Sequence, residues 1–232
     1  VPCISKTGAA TVSLVAGTVA AVGGRVVGFS ADQPVVMPAL IAGTDCAVYV
    51  CADGTARADA SFVAPAGYTT ANSRKVGGFH FDRTSVINQY SIWDLRHRPS
   101  CPDPRGMVLV NDLFWVDIYL CNSNPVAYGT SKAGVAVASG TVLPARSALF
   151  GGGSYSNMDW WTANELATSN GKRLLTEAEF SVAAYGVTEN QSLGGAASTI
   201  PATAYQAGFR SAWGCEQMTG HQWIWGADSG TW

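Results

Sequence analysis

Gly171-Lys172-Arg173-Leu174-Leu175-Thr176-Glu177-Ala178-Glu179-Phe180 is the stretch on which the fold of this 232-residue chain turns. Thr176 is a natural helix N-cap, because its hydroxyl can accept from a backbone N–H that the first helical turn leaves without a partner. Glu179, three residues on, can reach back to the Thr176 N–H and complete a capping box, with Leu175 and Phe180 as the apolar staple across it. The helix so begun is predicted to end at Tyr185, with Gly186 as its left-handed stop. Working upstream, Gly151-Gly152-Gly153 leads into an earlier helix predicted over about 160–169 that stops near Gly171. Working downstream, residues 187–208 are rich in Gly, Ala, Ser and Thr and read as a long surface loop. His221-Gln222-Trp223-Ile224-Trp225-Gly226 then reads as a strand with Trp223 and Trp225 on one face. Trp160, Trp161, Phe180, Trp223 and Trp225 are the expected aromatic core of this half.

The front of the chain has a different rhythm. Thr11–Val15, Thr18–Val22 and Arg25–Phe29 are β-branched runs, and Gly23-Gly24 between the last two is a hairpin signal, since a type I′ turn needs positive φ at both central residues. Cys46–Cys51 turns at Ala52-Asp53-Gly54 into Thr55–Asp59, and further strands are predicted at Lys75–Phe81 and Tyr90–Leu95. Strands so spaced, without a helical period, predict a small β-sandwich over residues 1–95. The segment Arg98–Gly106, with prolines at 99, 102 and 104, breaks the pattern and marks a junction. From 96 to 232 the character is α+β, with a strong strand within Leu113–Leu120.

Composition narrows the function. Hydrophobic residues make up 47% and charged residues 13%, about half the usual charged share. A chain so poor in charge favours burial in an assembly. With a net charge of −2 and no Lys/Arg run, no nucleic acid or anionic membrane is an expected partner. No apolar stretch reaches the roughly 18 residues that span a bilayer. The start at Val1-Pro2-Cys3 has neither an initiator Met nor a signal-peptide profile, which suggests a processed or partial chain. The six cysteines form no CxxC pair. Cys46 and Cys51, five apart on one strand, face opposite ways and cannot bond each other, so free buried thiols are expected.

The Gly171–Phe180 stretch resembles the signature of the formylglycine-generating-enzyme type of C-type-lectin fold. Trp161 with Asn164-Glu165-Leu166-Ala167 resembles that family's preceding helix. Trp213-Gly214-Cys215-Glu216-Gln217-Met218-Thr219-Gly220 and Trp223-Ile224-Trp225-Gly226 resemble its later strand region. A longer resemblance is to the phage major tropism determinants. It is carried in order by Met37–Leu40, Ala42–Asp45, Tyr49–Cys51, Lys75–His80, Asp103–Met107, Phe114-Trp115, Asp117–Leu120 and Gly171–Leu174. It implies a β-sandwich followed by a C-type-lectin-like domain of two helices around a small twisted antiparallel sheet. It also implies a homotrimer at the virion's tail-fibre tip, joined to other tail-fibre proteins, that binds a host cell-surface receptor, protein or glycan. Members display a surface rewritten by a diversity-generating retroelement; in this chain that variable segment is expected after Trp232. They begin with a β-prism segment, to which nothing within residues 1–232 is expected to correspond.

Rival functions have weaker support. A formylglycine-type enzyme needs reactive late cysteines, and Cys215 is the only cysteine after Cys121, beside Glu216, which does not favour a thiolate. A calcium-dependent lectin needs Glu-Pro-Asn or Gln-Pro-Asp loops, and Gln33-Pro34 is followed by Val35. Asp112, Asp117, Glu177, Glu179 and Glu216 have no acid/base spacing, and Gly151–Gly153 lacks the Lys-Ser/Thr of a phosphate loop. No catalysis, metal or cofactor is expected. A diversified protein on a cell surface, or a calcium-independent lectin, is the alternative.

Overall fold

The computed structural model describes residues 2–96, 101–192 and 205–228. It is a mixed α/β chain with few helices and small sheets, divided into two compact units, Val1–Gly106 and Met107–Trp232. The division falls later than the 95/96 boundary expected, because the end of the proline-bearing segment is tied into the first unit. The Gly106 N–H donates to Asp45 Oδ1 at 3.0 Å, and the Arg105 guanidinium lies over the Phe62 ring, 5.0 Å from its centroid. Residues 97–100 of that segment, 193–204 of the expected long loop, and 229–232 lie outside the described residues.

In chain order the strands of the first unit are β1 (Ile4–Lys6), β2 (Val12–Leu14), β3 (Val19–Val22), β4 (Arg25–Gly28), β5 (Gln33–Pro34), β6 (Thr44–Cys51), β7 (Ala56–Asp59), β8 (Ser73–Phe81) and β9 (Trp93–Asp94). They form three antiparallel sheets, in the orders β1-β2-β5, β3-β4 and β7-β6-β8-β9. The β3–β4 turn is the one the glycine pair predicts, with Gly23 at φ 57° and Gly24 at φ 75°. Side chains from all three sheets meet in one apolar cluster, including Ile4, Val12, Leu14, Val22, Val48, Val50, Ala58, Phe79 and Phe81. Each of the larger ones contributes roughly 1.5–3 kcal/mol by leaving water. Cys46 belongs to that cluster, whereas Cys51 lies on the other face of β6 with Ala47, Tyr49, Phe62 and Tyr68. Cys46 and Cys51 are thiols that point apart.

Two local devices shape the four-stranded sheet. Between β6 and β8 the register passes from Val48↔Gly77 to Tyr49↔Lys75, so Val76 is an extra residue, a β-bulge. The bulge puts Lys75 on the Tyr49 face while Val76 packs against the main cluster. The glycine pair beside it allows close approach. A Cβ on Gly77 would come within 2.2 Å of the Trp93 carbonyl oxygen, and one on Gly78 within 2.7 Å of the Trp93 ring.

The second unit opens with the hairpin β10 (Met107–Val110) and β11 (Phe114–Asp117). Its turn carries Asn111 and Asp112 in the left-handed region, at φ 50° and 55°, so Asp112 is a turn residue. The expected strand stops at Asp117, and Ile118 and Tyr119 are buried beyond the ladder. The helices are α1 (Pro125–Tyr128), α2 (Trp160–Ser169) and α3 (Glu177–Ala183). α3 ends two residues earlier than predicted, leaving Tyr185 70% exposed before Gly186 at φ 90°. Among the described residues no helix is long and apolar enough to cross a membrane. The strand predicted over 221–226 does not form; only Trp225 sits in an isolated bridge. Its neighbours spend their backbone groups elsewhere, as Gly226 O accepts from the Trp160 indole and Ala227 N donates to Leu175 O.

Candidate functional site

The site is best built from the Gly171–Phe180 stretch. α2 ends in a Schellman motif, with Gly171 N donating to Thr168 O at 3.0 Å and Lys172 N to Ala167 O at 2.9 Å. Gly171, at φ 68°, is the left-handed residue that this closure needs. The turn throws Lys172 back to the end of β11. Its ammonium bonds Asp117 Oδ1 at 2.5 Å and Thr130 Oγ1 at 2.7 Å, and the Thr130 hydroxyl bonds Asp117 Oδ2. Three segments far apart in sequence are thereby tied at one point.

Arg173 points the other way and grips Glu179 through both guanidinium ends, at 2.6 and 2.5 Å. The predicted capping box is present, with Thr176 Oγ1 accepting from the Glu179 N–H and Glu179 Oε2 accepting from the Thr176 N–H. Arg173 first, then the Thr176 N–H, hold the Glu179 carboxyl down at about 2. Asp228 adds a second carboxylate at the same helix start, accepting from Glu177 N at 3.1 Å. A parallel clamp holds the loop before α2. Arg146 Nε and the Tyr155 hydroxyl both donate to Glu165 Oε1 at 2.9 Å. Glycines 151–153, all at positive φ, close a turn in that loop, with Arg146 N donating to Gly153 O.

The aromatic residues expected in the core divide into two groups. Trp160, Trp225 and Phe180 are half-buried. The Trp160 indole N–H donates to Gly226 O at 2.8 Å and the Trp225 indole N–H to Met158 O at 3.2 Å. This pair of bonds stitches the 225–226 segment to the start of α2. Trp161 and Trp223 are not core residues, being 74% and 77% exposed. On a helix, consecutive positions point about 100° apart, so Trp160 and Trp161 cannot both face inward; Trp161 instead meets Trp160 edge-on at 5.0 Å. Trp223 is outside because the strand that would have paired it with Trp225 does not form. Leu149 at 84%, Phe150 at 37% and Tyr185 at 70% are also exposed on this unit. Large exposed apolar side chains are the material from which contact surfaces are made.

Burial pushes the Cys215 and Cys121 thiols up to about 12, so both are protonated at neutral pH and poor nucleophiles. Glu216, 1% exposed, faces Arg210 Nε at 3.1 Å. Burial also lowers the pKa of His221, favouring its neutral form. Among the described residues no three His, Cys, Asp or Glu side chains come together as a metal site. The Lys172–Asp117–Thr130 tie could not be foreseen, since nothing in the spacing of residues 42 and 55 apart signals it.

Comparison with known proteins agrees over almost the whole chain. Residues 2–94 match the family described as the Mtd second domain. The chain is 44% identical to the tail fiber receptor-binding protein of Bordetella phage BPP-1, over 97% of its own length and 65% of that relative. It superposes on the Major Tropism Determinant I1 variant with a TM-score of 0.93 at 44% identity, and on the U1 variant with 0.92 at 43%. In each case 97% of this chain covers 66% of the solved one, so the chain spans just under two thirds of these relatives.

Proposed function

We propose, from its likeness to the major tropism determinants, that the chain is a phage receptor-binding protein, carried on the tail fibre of the virion, whose second unit presents a contact surface to the host cell. The observation that carries this reading is the exposure of Trp161 and Trp223 on segments that are themselves pinned by indole–carbonyl bonds. A rigid base with large exposed aromatics is how a binding surface keeps its ordering cost low. In this reading the first unit is a β-sandwich, supported by the three sheets that share one apolar cluster. The second is a C-type-lectin-like platform whose tie points are Lys172, Arg173 and Thr176. Trp160, Trp225 and Phe180 are its structural aromatics. The protein assembles as a homotrimer at the fibre tip and binds rather than catalyses.

The test is competition for adsorption. Purified protein, added to the bacteria on which the phage plates, is expected to slow phage adsorption in a saturable way, and a Trp161→Ala, Trp223→Ala double variant to do so more weakly. Undiminished adsorption at saturating protein overturns the proposal.

A further inference from the structure

The first unit holds a cleft that the reading above does not use. It has a volume of about 320 Å³ and is lined by Phe62, Lys75, Trp93, Leu95, Pro102, Asp103, Pro104 and Arg105. Lys75 reaches it because of the bulge at Val76, which turns the side chain away from the main apolar cluster. Its ammonium donates to the Phe62 carbonyl at 3.2 Å and sits 5.5 Å from the centre of the Phe62 ring. A ring quadrupole and a carbonyl attract a cation without neutralising it. Among the described residues no carboxylate pairs with Lys75. Arg105 lies over the same ring, at 5.0 Å. Asp103 holds it through Nε and Nη2, which leaves Nη1 to donate elsewhere. The cleft therefore combines an uncompensated ammonium and a guanidinium N–H with aromatic and proline walls.

We infer that this cleft binds the carboxylate of an acidic monosaccharide, such as a hexuronate of a surface glycan, with Lys75 and Arg105 as its anion-binding residues. With Asp103 counted, the cleft keeps a net positive charge that favours an anion, and a carboxylate suits one ammonium beside one free guanidinium N–H. The volume lies at the low end for small-molecule sites, room for one compact ring rather than a length of peptide. Pyranose C–H groups suit walls of aromatic ring and proline. The inference does not depend on host recognition by the second unit, because free sugar and purified protein suffice to test it.

The experiment is a titration of the isotope-labelled protein followed by amide shifts, with glucuronate, glucose and acetate as separate probes. Glucuronate is expected to bind in the millimolar range and to shift amides around Phe62, Lys75 and Arg105. Glucose, which lacks the charge, and acetate, which lacks the ring, are expected to bind about tenfold more weakly or worse, the scale of losing one charged hydrogen bond. Lys75→Met and Arg105→Gln should each weaken glucuronate by a similar factor; unchanged amide spectra elsewhere show that the variants are folded. No shift with glucuronate overturns the inference. Equal binding of glucose refutes the role of the cations, and equal binding of acetate refutes the saccharide. Retained affinity in both variants places the site elsewhere and also overturns it.

Discussion

Two adjacent tryptophans offer the sharpest test of how the second unit is built. Trp161→Ala removes a side chain that is 74% exposed. Only about a quarter of a surface near 250 Å² is withdrawn from water there, on the order of 1.5 kcal/mol at ~25 cal/mol per Å². The edge-on contact with Trp160 adds a little, and the better helix propensity of alanine takes back roughly half a kcal/mol. A net cost of about 1–2 kcal/mol is expected. Trp160→Ala is different. It empties a half-buried site and leaves the buried Gly226 carbonyl without the indole N–H that reaches it at 2.8 Å, for an expected ~3–5 kcal/mol. The assay is urea unfolding followed by tryptophan emission. That signal reports mainly the second unit, since Trp93 is the sole tryptophan among residues 1–106. At a slope of about 2 kcal/mol per M, the two midpoints should differ by about 1 M. Midpoints within experimental error of each other refute the division into one anchoring and one displayed indole.

Four other outcomes follow from particular contacts. Lys172→Met should cost about 1–3 kcal/mol, because it strands the partly buried Asp117 carboxylate, and adding Asp117→Leu should recover part of it; a double-mutant cycle with no coupling counts against the tie. The depressed Glu179 carboxyl contributes stability that is full above about pH 4.5 and is lost as pH falls through about 2. Because Arg173 is 61% exposed, solvent screens the pair to about 1 kcal/mol, and an acid titration of Glu179→Gln should lack that slope. Gly77→Ala should cost about 3 kcal/mol, the upper end for overpacking, since its Cβ meets a backbone carbonyl rather than a movable side chain; a wild-type melting temperature argues against it. Finally, with its pKa near 12 and no exposure, Cys215 should resist iodoacetamide at pH 8 until the chain unfolds, which mass spectrometry of the labelled protein checks.

Local rules were legible where both partners lie within a few residues. Gly23-Gly24 announced its hairpin, Thr176 and Glu179 their capping box, and the period of Cys46–Cys51 its two faces. The span 160–169 matched α2 to the residue. What local patterns could not carry was the choice among exposed and buried aromatics. Trp223-x-Trp225 alternates as a strand should, yet the backbone that would have made a strand is claimed by an indole and by the Leu175 carbonyl. The first unit's boundary moved for the same reason, as Asp45 reaches across 61 residues to Gly106. The cleft at Lys75 was invisible because it depends on one supernumerary residue in a ladder, and no composition or period reports that.

The extra residue in β8 also sets which changes this region can tolerate. A ladder that took Val76 into register would set Val76 opposite Tyr49 and slide Lys75 to Val50, on the side of Phe79, carrying a cation into a dry interior. Point substitutions leave that phase intact. Exchanging side chains can therefore retune the cleft, whereas a shift of phase that drew Val76 into the ladder would withdraw the Lys75 ammonium from it.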